Sequence, residues 1–324
     1  MTGQTADTEL LRRFEAGLNP RRPDESLIPA KILGYGEIST IFEILHRGQE
    51  NLAYKRMPIF LNSGEMDRYE ALFTRYNTLL NGEIGIRVPP YATARVEPKT
   101  GNKVVYIIQG KLPAESLCHR LIHRMDDASL DTLFLVILRH MLKVWEFNAK
   151  ETGTIIGLDG QLSNWAVTDL DPAHPDISHG TGLSYIDTST PLIRVHGSEQ
   201  LEPELFLRSA PSFLVWIIRA FFLQDVLDRY YDLHLVVVDL IANLYKEQRP
   251  DLIGRFIDTA NSFFAREALH LKIHPVSEKE VRAYYREDAF IWRLFLALRR
   301  LDRFISTRIL DRPYPYILPG KIRR

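Results

Sequence analysis

The periodicity of this chain changes once, near residue 110, and that change limits what it can fold into. Before it come short runs rich in β-branched and aromatic residues: LIPAKILGYG, STIFEILHRG and NLAYKRMPIF. Gly, Asn and Gln separate them, as between strands. After it, apolar residues recur at helical spacing over roughly 127–149, 211–246, 250–268 and 277–310. The last stretch opens with SEKE, in which Ser277 and Glu280 have capping-box spacing. The expectation is an α+β chain. An N-terminal arm covers 1–27, a β-rich lobe with one helix covers 28–110, and a mainly helical lobe with a small β insert covers 111–324.

The one helix expected in the β-rich lobe is NSGEMDRYEALFTRYNTLL. Asn62 caps it, Glu65 follows three residues on, and Met66, Tyr69, Phe73, Tyr76 and Leu80 form its apolar stripe. Pro89 and Pro90 end that unit. YATARVEP and KVVYIIQG then read as a hairpin around KTGN at 99–102. In the helical lobe the short β-rich pieces are SNWAVTDL and LSYIDTS.

Forty-one basic and forty-one acidic residues cancel, so no global field points to nucleic acid or an acidic partner. The single cysteine, Cys118, rules out an internal disulfide and suits a reducing compartment. The first residues are polar, with no apolar signal core. The strongest apolar stretch, FLVWIIRAFFLQDVL at 213–227, is broken by Arg219 and Asp225. Its uncharged runs fall short of the roughly 20 residues of a membrane span. It reads as a buried helix, and the expectation is a cytoplasmic protein without a membrane span.

Residues 32–44 read ILGYGEISTIFEI. By themselves, Gly34 and Gly36 suit an ordinary turn. A dinucleotide fingerprint would need a third glycine and a helix directly after the loop. Ser39 stands near the third-glycine position, and TIFEIL after it is a strand. The segment therefore reads as a hairpin tip, whose backbone amides can reach phosphate oxygens because glycine has no Cβ. A hairpin over ATP phosphates calls for four more groups: a strand lysine, a helical carboxylate, an Asp with an Asn five residues on, and a second Asp ending a β run. These residues occur in order. Lys55 lies in LAYK, Glu70 on the next helix between Met66 and Phe73, Asp159 and Asn164 in GLDGQLSNWAV, and Asp187 in LSYIDTSTP.

In order and spacing, residues 30–195 resemble the protein-kinase-like superfamily, including its aminoglycoside and choline phosphotransferase branch. LGYGEIST resembles the glycine-rich loop, LAYK the strand lysine, LDGQLSN the catalytic loop and YID the start of the metal-binding motif. The resemblance implies a bilobal fold that uses ATP and Mg2+. Gly34, Gly36 and Ser39 would approach the phosphates. Lys55 would contact them, held by Glu70, or by Glu65 if the helix is rotated. Asp159 would take or orient the proton of the attacking hydroxyl, and Asn164 and Asp187 would hold magnesium. The backbone around Gln109, Gly110 and Lys111 resembles the hinge that pairs with adenine. The acceptor would more readily be a small-molecule hydroxyl than a protein.

The chain also departs from that pattern. Gly157 stands where a histidine usually precedes the catalytic Asp, Gln161 where lysine or histidine usually follows it, and Thr188-Ser189 where an aromatic and a glycine usually follow the metal-binding Asp. DPAHPDISHG lengthens the interval between Asn164 and Asp187. These departures leave a second possibility, a pseudokinase that binds nucleotide or a partner without transfer. Asp159 beside Gly160 also suits a simple turn. His119 and His123 beside Cys118 have helical i, i+4 spacing but no third ligand in reach, and read as polar groups behind the hinge. Arg299, Arg300 and Arg303 with the tail KIRR read as a solvated face that an anionic partner could also meet.

Overall fold

Five antiparallel strands form a sheet in the order β1-β2-β3-β5-β4: Ala30–Tyr35, Thr40–Ile44, Leu52–Phe60, Lys103–Gly110 and Tyr91–Val96 for β1, β2, β3, β5 and β4 respectively. The structure is a computed structural model and describes residues 6–36, 38–98, 101–170, 177–208, 227–312 and 314–320. The central strands β3 and β5 are buried along most of their length, so both sheet faces need cover. Side chains alternate between faces with period two. Tyr54, Tyr106 and Ile108 point to one core with Leu10, Leu11 and Phe14 of helix α1 (Thr8–Ala16). Met57, Ile59, Val105 and Ile107 point to the other, with Met66, Tyr69 and Phe73 of helix α2 (Ser63–Thr78). The same alternation sends Arg56 toward α1 and Lys55 toward the α2 side.

Local signals set the helix ends. Asn62 Oδ1 accepts the Glu65 N–H at 2.9 Å, and Glu65 Oε2 accepts the Leu61 N–H at 2.8 Å, a reciprocal cap at the start of α2.

The N-terminal segment is fastened to the sheet. Arg56 and Glu15 are paired where both side chains are less than a tenth exposed. Arg56 Nε donates to Glu15 Oε2 at 2.9 Å, Tyr106 Oη donates to the same oxygen at 2.5 Å, and Arg56 Nη1 donates to the Pro315 carbonyl at 2.7 Å. Burial acts against the Glu15 charge, but the Arg56 guanidinium outweighs it and holds the carboxyl below its ordinary value. One cation thus ties helix, sheet and C-terminal segment together. That last segment returns to the sheet, with Ile317 packed on the α1 side and Tyr314, Tyr316 and Leu318 on the α2 side.

Beyond residue 110 the chain is mainly helical: α3 (Cys118–Leu121), α4 (Asp127–Lys150), α5 (Glu204–Leu207), α6 (Leu233–Lys246), α7 (Ile253–Arg266) and α8 (Glu278–Phe304). Their common core includes Phe134 of α4 stacked on Phe256 of α7, ring centroids 4.0 Å apart. Short strands lie among them. β6 (Thr154–Ile156) pairs with β9 (Ile193–Val195), which pairs with β10 (Ser198–Glu199). β7 (Trp165–Val167) pairs with β8 (Leu183–Tyr185). The helix expected from 211 is described only in its later part, as α6. Residues 209–226, with most of the apolar stretch, lie outside the described residues, as do Glu37, residues 99–100 and 171–176 and the KIRR tail. Among the described residues no helix is long and apolar enough to cross a membrane.

Removing one partner from a buried ion pair costs about 3–5 kcal/mol, because the other charge is left stranded. Glu15→Gln is therefore expected to lower unfolding free energy in urea by about that amount, and Glu15→Met with Arg56→Met by less.

Candidate active site

The β1–β2 hairpin is closed by the Gly36 N–H donating to the Ser39 carbonyl at 3.0 Å. A Cβ on Gly36 would meet Ser39 Oγ at 2.5 Å, so a side chain there would require that hydroxyl to turn away. Gly34 has no such neighbour. A Cβ there would only touch Ile41 Cδ1 at 3.5 Å, and the β1–β2 register slips between Ile32 and Gly34. Strand β2 follows the tip, not a helix, which excludes the dinucleotide arrangement.

Lys55, on the α2 side of β3, reaches across to the end of the β8 segment. Its Nζ lies 2.6 Å from Asp187 Oδ1 and 2.8 Å from Ser189 Oγ. Ser189 also donates its N–H and hydroxyl to Asp187 Oδ1, at 3.2 and 2.8 Å. Burial acts against the Asp187 charge, but Lys55 and Ser189 outweigh it and hold the carboxyl below its ordinary value.

The expected Lys55–Glu70 pair does not form. α2 is turned so that Tyr69, not Glu70, faces inward. Glu70 is bound instead by Arg95 of β4, whose Nε donates to its Oε2 at 2.7 Å. Glu65, the alternative partner, is held by Arg208, with Nη2 to Oε1 at 2.9 Å. Tyr69 Oη donates to the Ser189 carbonyl at 2.8 Å, and Tyr76 Oη donates to the Gly157 carbonyl at 2.9 Å. Seven residues apart, the two tyrosines share one face of α2. They pin the Asp187 segment and the Asp159 segment at once.

Asp159 and Asn164 lie on the loop between β6 and β7. Asn164 Nδ2 donates to the Asp159 carbonyl at 3.2 Å, and the Asn164 carbonyl accepts the Ile186 N–H at 2.9 Å. The loop is thereby tied to the residue before Asp187. Gly157 is closely packed: a Cβ would lie 3.0 Å from the Tyr230 carbonyl and 3.1 Å from Leu192, so a histidine there would need those neighbours to shift. Backbone bonds hold this stretch instead, Gly157 N–H to the Leu192 carbonyl at 3.0 Å and Leu158 N–H to the Tyr230 carbonyl at 2.9 Å.

Gln161 occupies the place of the usual cation and acts as a bridge. Its N–H donates to Asp159 Oδ1 at 3.2 Å, its Nε2 to Asp239 Oδ2 at 3.3 Å, and its Oε1 accepts from Lys246 Nζ at 3.3 Å. Asp239 is buried on α6, where Asn243 Nδ2 donates to its Oδ1 at 2.9 Å. Burial raises the pKa of Asp159, with the Asp187 charge adding to it; the Gln161 N–H and Lys246 pull the other way. Burial likewise raises Asp239, with the charges of Asp159 and Asp288 adding to it. Asp239 and Lys246 were not singled out from the sequence. One carboxylate inside the apolar run VVVDLIANL was the available signal, because a buried charge needs partners.

Gln109 sits in the sheet between Ala53 and Tyr91. The Lys111 N–H is taken by the Asn51 carbonyl at 2.8 Å, and Lys111 Nζ by Glu43 at 2.8 Å, so that amide is not free for adenine. Among the described residues no three His, Cys, Asp or Glu side chains cluster to hold a metal, and the His119, His123 and Cys118 group forms no such site.

A model of a family of unknown function, DUF6206, matches residues 26–303. No curated protein matches the chain. Among solved structures it is similar to WaaP in complex with acyl carrier protein, at 13% identity over 71% of this chain and 89% of that one, TM-score 0.32. It is similar to WbdD at 13% identity over 73% and 47%, TM-score 0.30. It is also similar to APH(2")-IIia in complex with GDP and kanamycin, at 13% identity over 78% and 97%, TM-score 0.30.

The raised Asp239 carboxyl has a consequence for stability. A carboxyl with a raised folded pKa binds more protons folded than unfolded, so stability falls as pH rises toward that value. Between pH 5 and 8 the wild type is expected to lose about 1–3 kcal/mol that Asp239→Asn does not lose, since one pKa unit is about 1.4 kcal/mol. Parallel urea-unfolding profiles for the two proteins would contradict this.

Proposed function

The chain belongs to the DUF6206 family of unknown function, and we propose that it is an ATP- and magnesium-dependent phosphotransferase of bilobal, protein-kinase-like fold that acts on a small-molecule hydroxyl. The observation that carries this reading is the contact of Lys55 Nζ with Asp187 Oδ1 at 2.6 Å, made across 132 residues of sequence. It brings a sheet cation and a loop carboxylate together beside the Asp159–Asn164 loop. In this reading residues 28–110, with the returning C-terminal segment around 314–318, form one lobe and most of the chain after 110 the other, with the nucleotide between them.

The donor set suits magnesium, which favours hard oxygens, uses one or two carboxylates and takes its remaining ligands from phosphates and water. Asp187 supplies a carboxylate below its ordinary pKa, and Asn164 keeps its side-chain oxygen while its Nδ2 is spent on the Asp159 carbonyl. Thr188 Oγ1, next to Asp187 in the chain, is buried with no hydrogen-bond partner. Bound magnesium would neutralise charge on the phosphates. Gly34, Gly36 and Ser39 would approach the phosphates, Lys55 would turn from Asp187 to them, and the Gln109–Lys111 segment would border the adenine. Asp159, with its raised pKa, accepts the proton of the acceptor hydroxyl as that oxygen bonds to the γ-phosphorus and the bond to ADP breaks. Glu70 takes no part in this reading, since Arg95 holds it.

A second reading, a nucleotide- or partner-binding module without transfer, is favoured by two observations. Glu70 is committed to Arg95, and the Lys111 amide to Asn51.

Thermal unfolding with ATP separates the two. Ligand binding to the native state raises apparent stability by mass action. A magnesium-dependent rise in Tm at millimolar ATP is expected for the wild type and for Asp159→Ala, and is lost in Asp187→Ala. Slow ATP turnover by the wild type should fall by about 100-fold or more in Asp159→Ala. A shift without any turnover favours the second reading, and no shift at all contradicts both.

A further inference from the structure

Between the N-terminal segment and the end of α8, a concavity of about 510 Å³ is lined by Arg21, Arg300, Arg303, Phe304, Thr307 and Arg308. Many described arginines elsewhere face carboxylates, as Arg68 faces Glu202, Arg139 faces Glu267 and Arg255 faces Asp127 and Asp131. Among the described residues these four have no carboxylate partner. Their contacts are to neutral oxygens: Arg21 Nη2 donates to Thr307 Oγ1 at 3.1 Å, and Arg300 Nη2 to the Pro319 and Gly320 carbonyls at 3.2 and 2.9 Å. Each guanidinium carries five N–H donors, so most of theirs are unspent.

The crowding is built by the fold and not by composition, because the chain carries as many acidic as basic residues. A helix C-terminus favours basic residues in its last turn, which accounts for Arg303 and its neighbours. It does not account for Arg21, brought in from 286 residues away to meet Thr307. Burial, with the like charges of Arg21 and Arg300, holds the Arg303 guanidinium below its ordinary pKa. An arrangement of this kind is relieved by an anion.

We propose that this cavity binds a ligand carrying two or more phosphate groups, received by paired guanidinium N–H donors. Guanidinium forks match phosphate oxygens two at a time, and the volume lies in the range of ligand pockets. Phe304 at the wall is 57% exposed, and Ile309 and Leu310, next in the chain to Arg308, are 65% and 50% exposed. The phosphates could therefore belong to a soluble polyphosphate or to a lipid headgroup whose acyl region meets these apolar side chains. The site is separate from the proposed nucleotide site and does not depend on it.

Two probes distinguish the sources: inorganic pyrophosphate in calorimetry, and phosphatidylcholine vesicles with and without cardiolipin in co-sedimentation. The proteins are the wild type, Arg303→Gln/Arg308→Gln, and Lys55→Met, which removes the cation of the proposed nucleotide site. A soluble source predicts pyrophosphate binding that Lys55→Met keeps and the double variant weakens by about tenfold or more. A lipid source predicts cardiolipin-dependent co-sedimentation, lost in the double variant and kept in Lys55→Met. Binding of neither probe by the wild type overturns the proposal. So does binding that the double variant retains, or that only Lys55→Met loses.

Discussion

The contact between Lys55 and Asp187 is the constraint on which the arrangement of the candidate site turns. Strand alternation fixes which face of β3 carries Lys55, and a one-residue slip would send it into the α1 core and Arg56 toward Asp187. The Asp187 carboxylate is more than a third exposed at this junction, so the pair is less costly to open than Arg56 with Glu15, which is sealed on the far face. The two ion pairs on adjacent residues of one strand thus have different characters. One locks the N-terminal helix onto the sheet. The other sits where water and a ligand can reach it.

Helix α2 is the element that lets this junction hold without the expected glutamate. Its inward tyrosines spend their hydroxyls on backbone carbonyls of Ser189 and Gly157, fixing the two loops relative to each other. Such bonds are directional and neutral, and leaving either carbonyl unpaired would cost about 1–3 kcal/mol. Gly157 packs against the Tyr230 carbonyl and Leu192, where any Cβ would be tight. A backbone-pinned loop, a bridging Gln161 and a carboxylate partner from α6 occur together around Asp159.

Features encoded by neighbouring residues were legible in the sequence. The strands of the sheet, the caps at Asn62 and Ser277 and the change to long helices all follow from local spacing, and each appears in the structure. The order of Lys55, Asp159, Asn164 and Asp187 was equally visible; Lys55 meets Asp187, and the Asn164 carbonyl takes the N–H of Ile186 next to it. The partner of Glu70 was not, because it depends on the rotation of α2 and on β4 lying at the sheet edge beyond β5, which places Arg95 within reach. The firm docking of α1 was hidden for a similar reason. Glu15 reads as a solvated charge until Arg56 is seen buried opposite it. Asp239 was hidden because its partners Asn243 and Gln161 are set by helix packing and not by its neighbours in the apolar run.

The most direct test of the central claim is a crystal structure with a non-hydrolysable ATP analogue and Mn2+, the metal identified by anomalous scattering. Metal density between Asp187, Asn164 and the phosphates, with Lys55 moved from Asp187 to a phosphate oxygen, is the predicted result. Nucleotide bound elsewhere, or an Asp187–Lys55 contact unchanged with nucleotide present, would contradict the account.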